Sequence, residues 1–363
     1  MEKQQPIVAL MYDFDKTLCA KDMQEYSFIP SVGMNAEAFW KESNEISEKN
    51  NMDRILSYMF LMIKMAKNKN VGIKKADFMN LGKDVIFLKG VKTWFKRINE
   101  YGKSQGILVE HYILSSGLKE IIEGTPIAKE FKKIYACEFY YNKSGNADWP
   151  KQVINFTTKT QFIFRISKGA LEQLDDKKLN SVIDHDDRRI PYRNMIYIGD
   201  GMTDVPCMKL VKMKGGESIA IYHKDTIDIA KRLFKDKRVG YICKADYRKN
   251  SELESIVKLL IDQMALTSKL VDLHKEHKEQ YLDPKIKEQL DLKTHAILDE
   301  RRQEYEKVVK LLADEKFQEA KEILLKLSKT FKKASYVREQ NYYDFDQMIE
   351  YFIFCEKDRK SVV

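Results

Sequence analysis

A chain of 363 residues with 44% hydrophobic residues, 33% charged residues and a net charge of +9 is long enough for two or three domains around a sizeable core. Its five cysteines, Cys19, Cys137, Cys207, Cys243 and Cys355, form no C-x-x-C pair, which argues against a zinc site or a disulfide framework and fits a reducing compartment. The N-terminus has no signal-peptide pattern, no apolar run reaches membrane-spanning length, and no basic stripe or nucleic-acid reader motif appears; the expectation is a cytoplasmic protein that engages neither membrane nor nucleic acid.

PIVALMY is a continuous apolar run of the kind buried on both faces of a parallel sheet. It runs into MYDFDKTLCA, residues 11–20. An extended chain alternates its side chains, so Asp13 and Asp15 project to one side and Phe14 to the other. Two carboxylates that close repel, and one is driven toward protonation unless a cation or donors compensate. A solvated strand end turning through Lys16 and Thr17 is the plain alternative at this point. Residues 21–88 then change character. MNAEAFWKESNEI and MDRILSYMFLMIKMAKN have helical periodicity, which predicts a small helical insertion directly after the aspartates.

From Gly90 helix and strand alternate again. GVKTWFKRINEYG reads as a helix, ILVEHYILSSG as a strand, LKEIIEG as a helix, and EFYYNKSGNADWPKQVINF as a hairpin turning at NKSGN, its last residues QVINF still extended. TTKTQFIFRISKGALEQL is expected to be a helix capped by Thr157 or Thr158, MIYIGDGMTD another strand ending in aspartates, and SIAIY one more strand. This alternation predicts an α/β fold, a doubly wound parallel sheet with functional residues at the carboxyl ends of its strands. Asp200 and Asp204 stand at such an end among glycines. Ser115, Ser116 and Gly117 end a strand and open a helix, with hydroxyl and N–H donors turned to an incoming anion. Several aspartates converging there need a divalent cation; Mg²⁺, a hard ion held by carboxylates, waters and phosphate oxygens, suits Asp13, Asp15, Asp200 and Asp204.

DFDKTL, ILSSG, a later lysine and GDGMTD together resemble, in order, the four motifs of the haloacid dehalogenase (HAD) superfamily, with an insertion in the place of a C1-type cap. Phosphoserine-phosphatase-like members are the most similar in pattern. The resemblance implies a Rossmann-like HAD core in two parts, 1–20 and 89–250, and a helical cap over 21–88. It implies Asp13 as the nucleophile that becomes an aspartyl-phosphate and Asp15 as general acid and base. Ser115 and a lysine would hold the phosphate, and Asp200 with Asp204 the Mg²⁺. Dehalogenases of the superfamily lack the second aspartate and ATP-driven pumps carry a lysine there, so Asp15 points to phosphatase or phosphotransferase chemistry. The expected substrate is a small phosphorylated metabolite. Gln24, Glu25 and Tyr26, near the cap hinge, are candidates for reading it, and no clamp for an amino-acid carboxylate is legible.

Lys159 and Lys168 both precede the last aspartates. At 100° per residue Lys159 continues the stripe of Phe162, Ile163, Ile166 and Ala170, whereas Lys168 falls about 180° away. Lys159 is therefore the expected phosphate lysine, unless Gly169 ends the helix and Lys168 opens a second one. Residues 251–363 lie outside the resemblance. SELESIVKLLIDQMALTSKLVDLHKEH and the segments C-terminal to it read as a helical extension that packs on the core or on a partner subunit, with one tetratricopeptide-like hairpin at YEKVVKLLADEKFQEAKEILLKL. A homo-oligomer through these helices is an expectation, and an interaction or scaffold protein with the tail as its functional part is the alternative to an enzyme. Because all four motifs precede Asn250, a chain cut there is expected to keep turnover. His274, His277 and the run DHDDRR at 184–189 read as surface residues rather than metal ligands.

Overall fold

The computed structural model describes residues 5–281 and a few isolated positions between 307 and 323. Cys355 and the tetratricopeptide-like hairpin, apart from those few positions, lie outside the described residues. The chain divides into one unit over Met1–Leu270 and a second over Val271–Val363.

The first unit is built on seven strands. β1 (Ile7–Tyr12) is buried at every position, as an apolar run of β-formers inside a parallel sheet should be. Four helices follow it: α1 (Phe28–Ser31), α2 (Ala36–Asn50), α3 (Arg54–Lys69) and α4 (Lys75–Leu81). Asn35 caps α2 by accepting from Ala38 N, and Asp53 caps α3 by accepting from Ile55 N and Leu56 N, each satisfying donors that a helix start leaves without partners. The chain enters and leaves this helical segment side by side. Ala20 N donates to Ile86 O at 3.2 Å and Leu88 N to Leu18 O at 3.0 Å. Tyr26 Oη joins the two connections, accepting from Ala20 N and Lys21 N and donating to Ile86 O.

α5 (Val91–Ser104) leads to β2 (Leu108–Leu118), then α6 (Lys119–Glu123) and the hairpin of β3 (Lys133–Tyr141) and β4 (Ala147–Gln152). Next come α7 (Lys159–Lys168), α8 (Asp176–Asn180), β5 (Met195–Gly199), α9 (Val205–Met213), β6 (Glu217–Tyr222), α10 (Ile227–Lys235), β7 (Tyr241–Lys244) and α11 (Glu252–Tyr281). The strand order is β4-β3-β2-β1-β5-β6-β7. Every pairing is parallel except β3 with β4. Helices flank this sheet, α5 on β2, α9 on β5 and β6, and α10 on β6 and β7. The doubly wound, Rossmann-like sheet expected from the sequence is the one observed. The order reverses between β1 and β5, the switch point where such sheets leave a crevice beyond their carboxyl ends.

Three local expectations are corrected. QVINF is not extended beyond Gln152: Asn155 Oδ1 accepts from Thr157 N and Thr158 N, an Asx turn that takes the chain into α7. Thr158 stands at the N-cap without a side-chain cap bond, and α7 stops at Lys168 because Gly169 adopts φ +69°, the left-handed close that glycine takes at least cost. β2 continues through Ser116 and Gly117 to Leu118, which pairs with Cys137 after a register shift, so those residues belong to the strand and not to a helix start.

The first part of α11 completes the core. Leu253, Val257, Leu260, Ile261, Met264 and Ala265 are buried. Arg97 Nε donates to the buried Glu254 Oε1 at 2.7 Å, and Tyr101 Oη donates to Asp262. In the second unit, His274 and His277 are exposed, and His277 meets the ring of Tyr281 edge-on at 5.6 Å.

Candidate active site

β1 and β5 place the carboxylates. Their register pairs Tyr12 with Ile198, and one residue on Asp13 N donates to Ile198 O at 3.0 Å. Asp13 and Asp200 therefore leave the sheet from neighbouring strands. Asp204 returns to the same point from a 3-10 turn at Met202–Asp204. One oxygen from each of Asp13, Asp200 and Asp204 lies within 4.8 Å of the others. Among the described residues no other group of three or more such ligands occurs, DHDDRR included; there Asp186 pairs with Arg193.

Lys159, at the first turn of α7, is 1% exposed, with Nζ 3.1 Å from Asp13 Oδ1 and 2.9 Å from Asp204 Oδ1. Burial works to lower its pKa, but the two carboxylates outweigh that and raise it, so it stays an ammonium. Lys168 lies elsewhere, donating to the carbonyls of Leu179 and Ser181. Of the two lysines, Lys159 is the one that the structure places beside Asp13 and Asp204.

Two further groups fix Asp204 and Asp200. The Tyr197 hydroxyl donates to Asp204 Oδ1 at 2.8 Å, and Thr17 Oγ1 donates to Asp200 Oδ1 at 3.2 Å. Burial, then the charge of Asp204, pushes Asp200 up to about 7. Burial also raises Asp13, with Lys159 pulling it back. Three carboxylates face one ammonium, a deficit of two positive charges in a buried place. Hard oxygen donors with that deficit fit a divalent cation, with Asp13, Asp200 and Asp204 as the residues that would hold it.

The carboxylate of Asp15 lies outside that group, unlike the four-carboxylate set expected from the sequence. Its Oδ1 accepts from Met23 N at 2.8 Å, and burial, then Asp22 and Asp13, raise its pKa well above the usual range. A carboxyl that keeps its proton here can give it to a leaving group. Gly117 makes room beside it, since a Cβ at that position would stand 2.1 Å from Met23 Cε and 2.9 Å from Asp15 Oδ2.

Ser115 is fully buried, and its Oγ accepts from Gly117 N at 3.0 Å. Ser116 and Gly117 line the cavity over the carboxylates, and Ser116 Oγ is buried with no hydrogen-bond partner. Of the hinge candidates, Gln24 lines the cavity, Glu25 accepts from Trp40 Nε1, and Tyr26 ties the two connections described above.

The loop after β1 is held from outside by residues with no sequence signal for that role. Lys16 has φ +56°, a left-handed conformation that a non-glycine residue keeps only when its surroundings enforce it. His223 Nε2, which carries the proton, donates to Lys16 O at 2.7 Å, and Tyr247 Oη donates to Thr17 O at 2.9 Å. The Lys16 ammonium pairs with Asp22 at 2.7 Å.

The chain matches the haloacid dehalogenase-like hydrolase family over residues 10–209. An uncharacterized protein of Borreliella burgdorferi is 28% identical over 280 residues, 70% of this chain and 96% of that one. Among solved structures, a HAD family hydrolase from Salmonella enterica serovar Typhi is similar at 17% identity and TM-score 0.45, covering 69% of this chain and 74% of its own. A phospho-aspartyl intermediate analogue of phosphoserine phosphatase is similar at 17% identity and TM-score 0.45, covering 70% and 99%. No helix among the described residues is long and apolar enough to cross a membrane.

Proposed function

The chain belongs to the haloacid dehalogenase-like hydrolases, and we propose that it is a Mg²⁺-dependent phosphomonoester hydrolase acting on a small phosphorylated metabolite through an aspartyl-phosphate. The observation that carries this reading is the ammonium of Lys159 bridging Asp13 and Asp204 at 3.1 and 2.9 Å, beside a second carboxyl, Asp15, whose pKa burial raises. Phosphoryl transfer asks for an aligned anionic nucleophile and neutralised equatorial oxygens rather than elaborate covalent chemistry.

In this mechanism an oxygen of the ionised Asp13 attacks phosphorus, and the bond from phosphorus to the leaving oxygen breaks. Asp15 gives its proton to that oxygen. Water then attacks the aspartyl-phosphate, Asp15 takes the proton back, and inorganic phosphate leaves with Asp13 restored. Lys159 meets the charge on the phosphoryl oxygens, and the hydroxyls of Ser115 and Ser116 supply donors from the end of β2. A bound Mg²⁺ would supply further charge neutralisation and keep Asp13 ionised at neutral pH. Asp13 and Asp15 differ by environment: Lys159 touches the first and favours its charge, while Asp22 and Asp13 act against charge on the second.

The test is release of phosphate from p-nitrophenyl phosphate with and without Mg²⁺, together with acid trapping of an acyl phosphate from a labelled substrate. Asp13→Asn should release no phosphate above background and trap no label. A labelled acyl phosphate in that variant would overturn the assignment.

A further inference from the structure

Several side chains that line the cavity with the carboxylates have their polar tips engaged. Trp40 Nε1 donates to Glu25 Oε1 at 3.0 Å, Tyr58 Oη donates to Ser116 O at 2.6 Å, and the Ser43 and Ser57 hydroxyls meet at 3.3 Å. What these residues present to the cavity is ring and aliphatic surface, and Ile55 and Phe156 add to it. Gln24 differs from them. It is 2% exposed, it lines the same cavity, and its Oε1 is buried without a hydrogen-bond partner.

A buried carboxamide oxygen left without a donor forfeits the hydrogen bond it made to water in the unfolded chain. Such a cost is repaid when a ligand brings the missing donor, and it then discriminates against ligands that lack one. Of the charged groups nearby, Lys16 pairs with Asp22 and Lys159 with Asp13 and Asp204, while Asp200 belongs to the acidic trio that would hold a cation. Arg54, which also lines the cavity, is exposed, where water screens it. The cavity, about 460 Å³, is of small-molecule size, within the range of about 300–1,000 Å³.

We propose that Gln24 selects the leaving group, and that the substrate is the phosphate monoester of a planar, ring-bearing alcohol with a neutral hydrogen-bonding substituent. The ring packs against Trp40, Tyr58 and Phe156, and the substituent meets the Gln24 amide, which both accepts and donates. This rests on the phosphatase reading above. It differs from a site for a phosphorylated amino acid, whose ammonium needs an unpaired anion on this wall, where Asp22 is already paired with Lys16.

The experiment compares kcat/KM for benzyl phosphate, 3-carbamoylbenzyl phosphate, 3-carboxybenzyl phosphate and O-phosphoserine on the full chain. The expected order has the carbamoyl ester at least tenfold above benzyl phosphate, with the carboxy ester and phosphoserine below both. In Gln24→Met the ratio of carbamoyl to benzyl ester should fall to about one, and Gln24→Glu should move the preference to 3-aminomethylbenzyl phosphate. Cleavage of benzyl phosphate with no such preference, or an equal loss for all esters in both variants, overturns the role of Gln24 while leaving the phosphatase reading standing. Preference for phosphoserine overturns the ring-bearing class. Cleavage of none of the esters sinks both readings together.

Discussion

Replacing Asp200 by asparagine should make the metal-free protein more stable at alkaline pH while removing its response to Mg²⁺. The ordinary aspartate value is 3.8, and in the folded chain burial and Asp204 raise Asp200 to about 7. Between these values the unfolded carboxyl has lost its proton and the folded one keeps it. Stability contributed by this group is therefore full below the unfolded value and falls as pH rises through the folded one. Each pH unit of that interval is worth about 1.36 kcal/mol, so at pH 8 ionised Asp200 costs the metal-free fold about 4 kcal/mol relative to a neutral side chain. Asparagine is that side chain, and its Oδ1 still accepts from Thr17 Oγ1. Urea denaturation in chelator should show Asp200→Asn more stable than wild type by up to about 4 kcal/mol at pH 8, and by less than half of that at pH 5. Mg²⁺ should narrow that gap at pH 8 to roughly 1 kcal/mol, since a cation at about 100 times its Kd adds roughly 2.7 kcal/mol to a chain that binds it and nothing to one that does not. An equal effect of the substitution at both pH values, or a destabilisation at pH 8 in chelator, would refute the account of three carboxylates sharing one ammonium.

Lys159→Met should lower turnover of p-nitrophenyl phosphate by about a thousandfold, the scale for losing a preorganised charge at a developing anion, whereas Lys168→Ala should leave it within about twofold, because Lys168 meets only the Leu179 and Ser181 carbonyls; similar losses in both would remove Lys159 from the site. Ending the chain at Asn250 should prevent folding, contrary to the expectation from motif positions. Burying the six apolar side chains of α11 named above contributes on the order of 10 kcal/mol, comparable to the whole stability of a domain, and a cooperative melt of the truncated chain would contradict this. Tyr247→Phe removes one buried hydrogen bond worth roughly 1 kcal/mol and frees Thr17 O. We expect kcat to fall severalfold with KM little changed; an altered melting temperature with unchanged kcat would assign Tyr247 to packing alone.

The central sheet and its acidic end were legible because their signals are local. Apolar runs fix β1 and β5, and the period-2 geometry of Asp13 and Asp15 is a property of any strand. Lys159 was legible because helix periodicity needs no tertiary information. What escaped the sequence depends on contacts between distant segments. Nothing near Tyr247 announces that its hydroxyl holds Thr17 O, 230 residues away, and Tyr197 sits in an apolar strand like any core aromatic. The engagement of Ser115 by Gly117 N lies where β2 shifts register on β3, a feature that no single-strand pattern contains. The apolar periodicity of α11 pointed to packing on the core or on a partner, and its buried face lies in the core; motif positions carry no measure of that buried area.

β1 leaves the ribosome before the other six strands of this sheet, yet it ends between β2 and β5. Once β2 has paired with it, its other edge stays open for the synthesis of roughly 80 further residues, about 4–16 s at typical translation rates of 5–20 residues per second. For that time the nascent chain displays an apolar strand edge, the kind of surface on which other chains nucleate aggregates. Thr17 and Asp200 are 183 residues apart, so shorter nascent chains contain no carboxylate trio either. Substitutions that weaken β5 should therefore lower soluble yield more than their effect on the finished protein's stability, and a chaperone that shields strand edges should recover that loss.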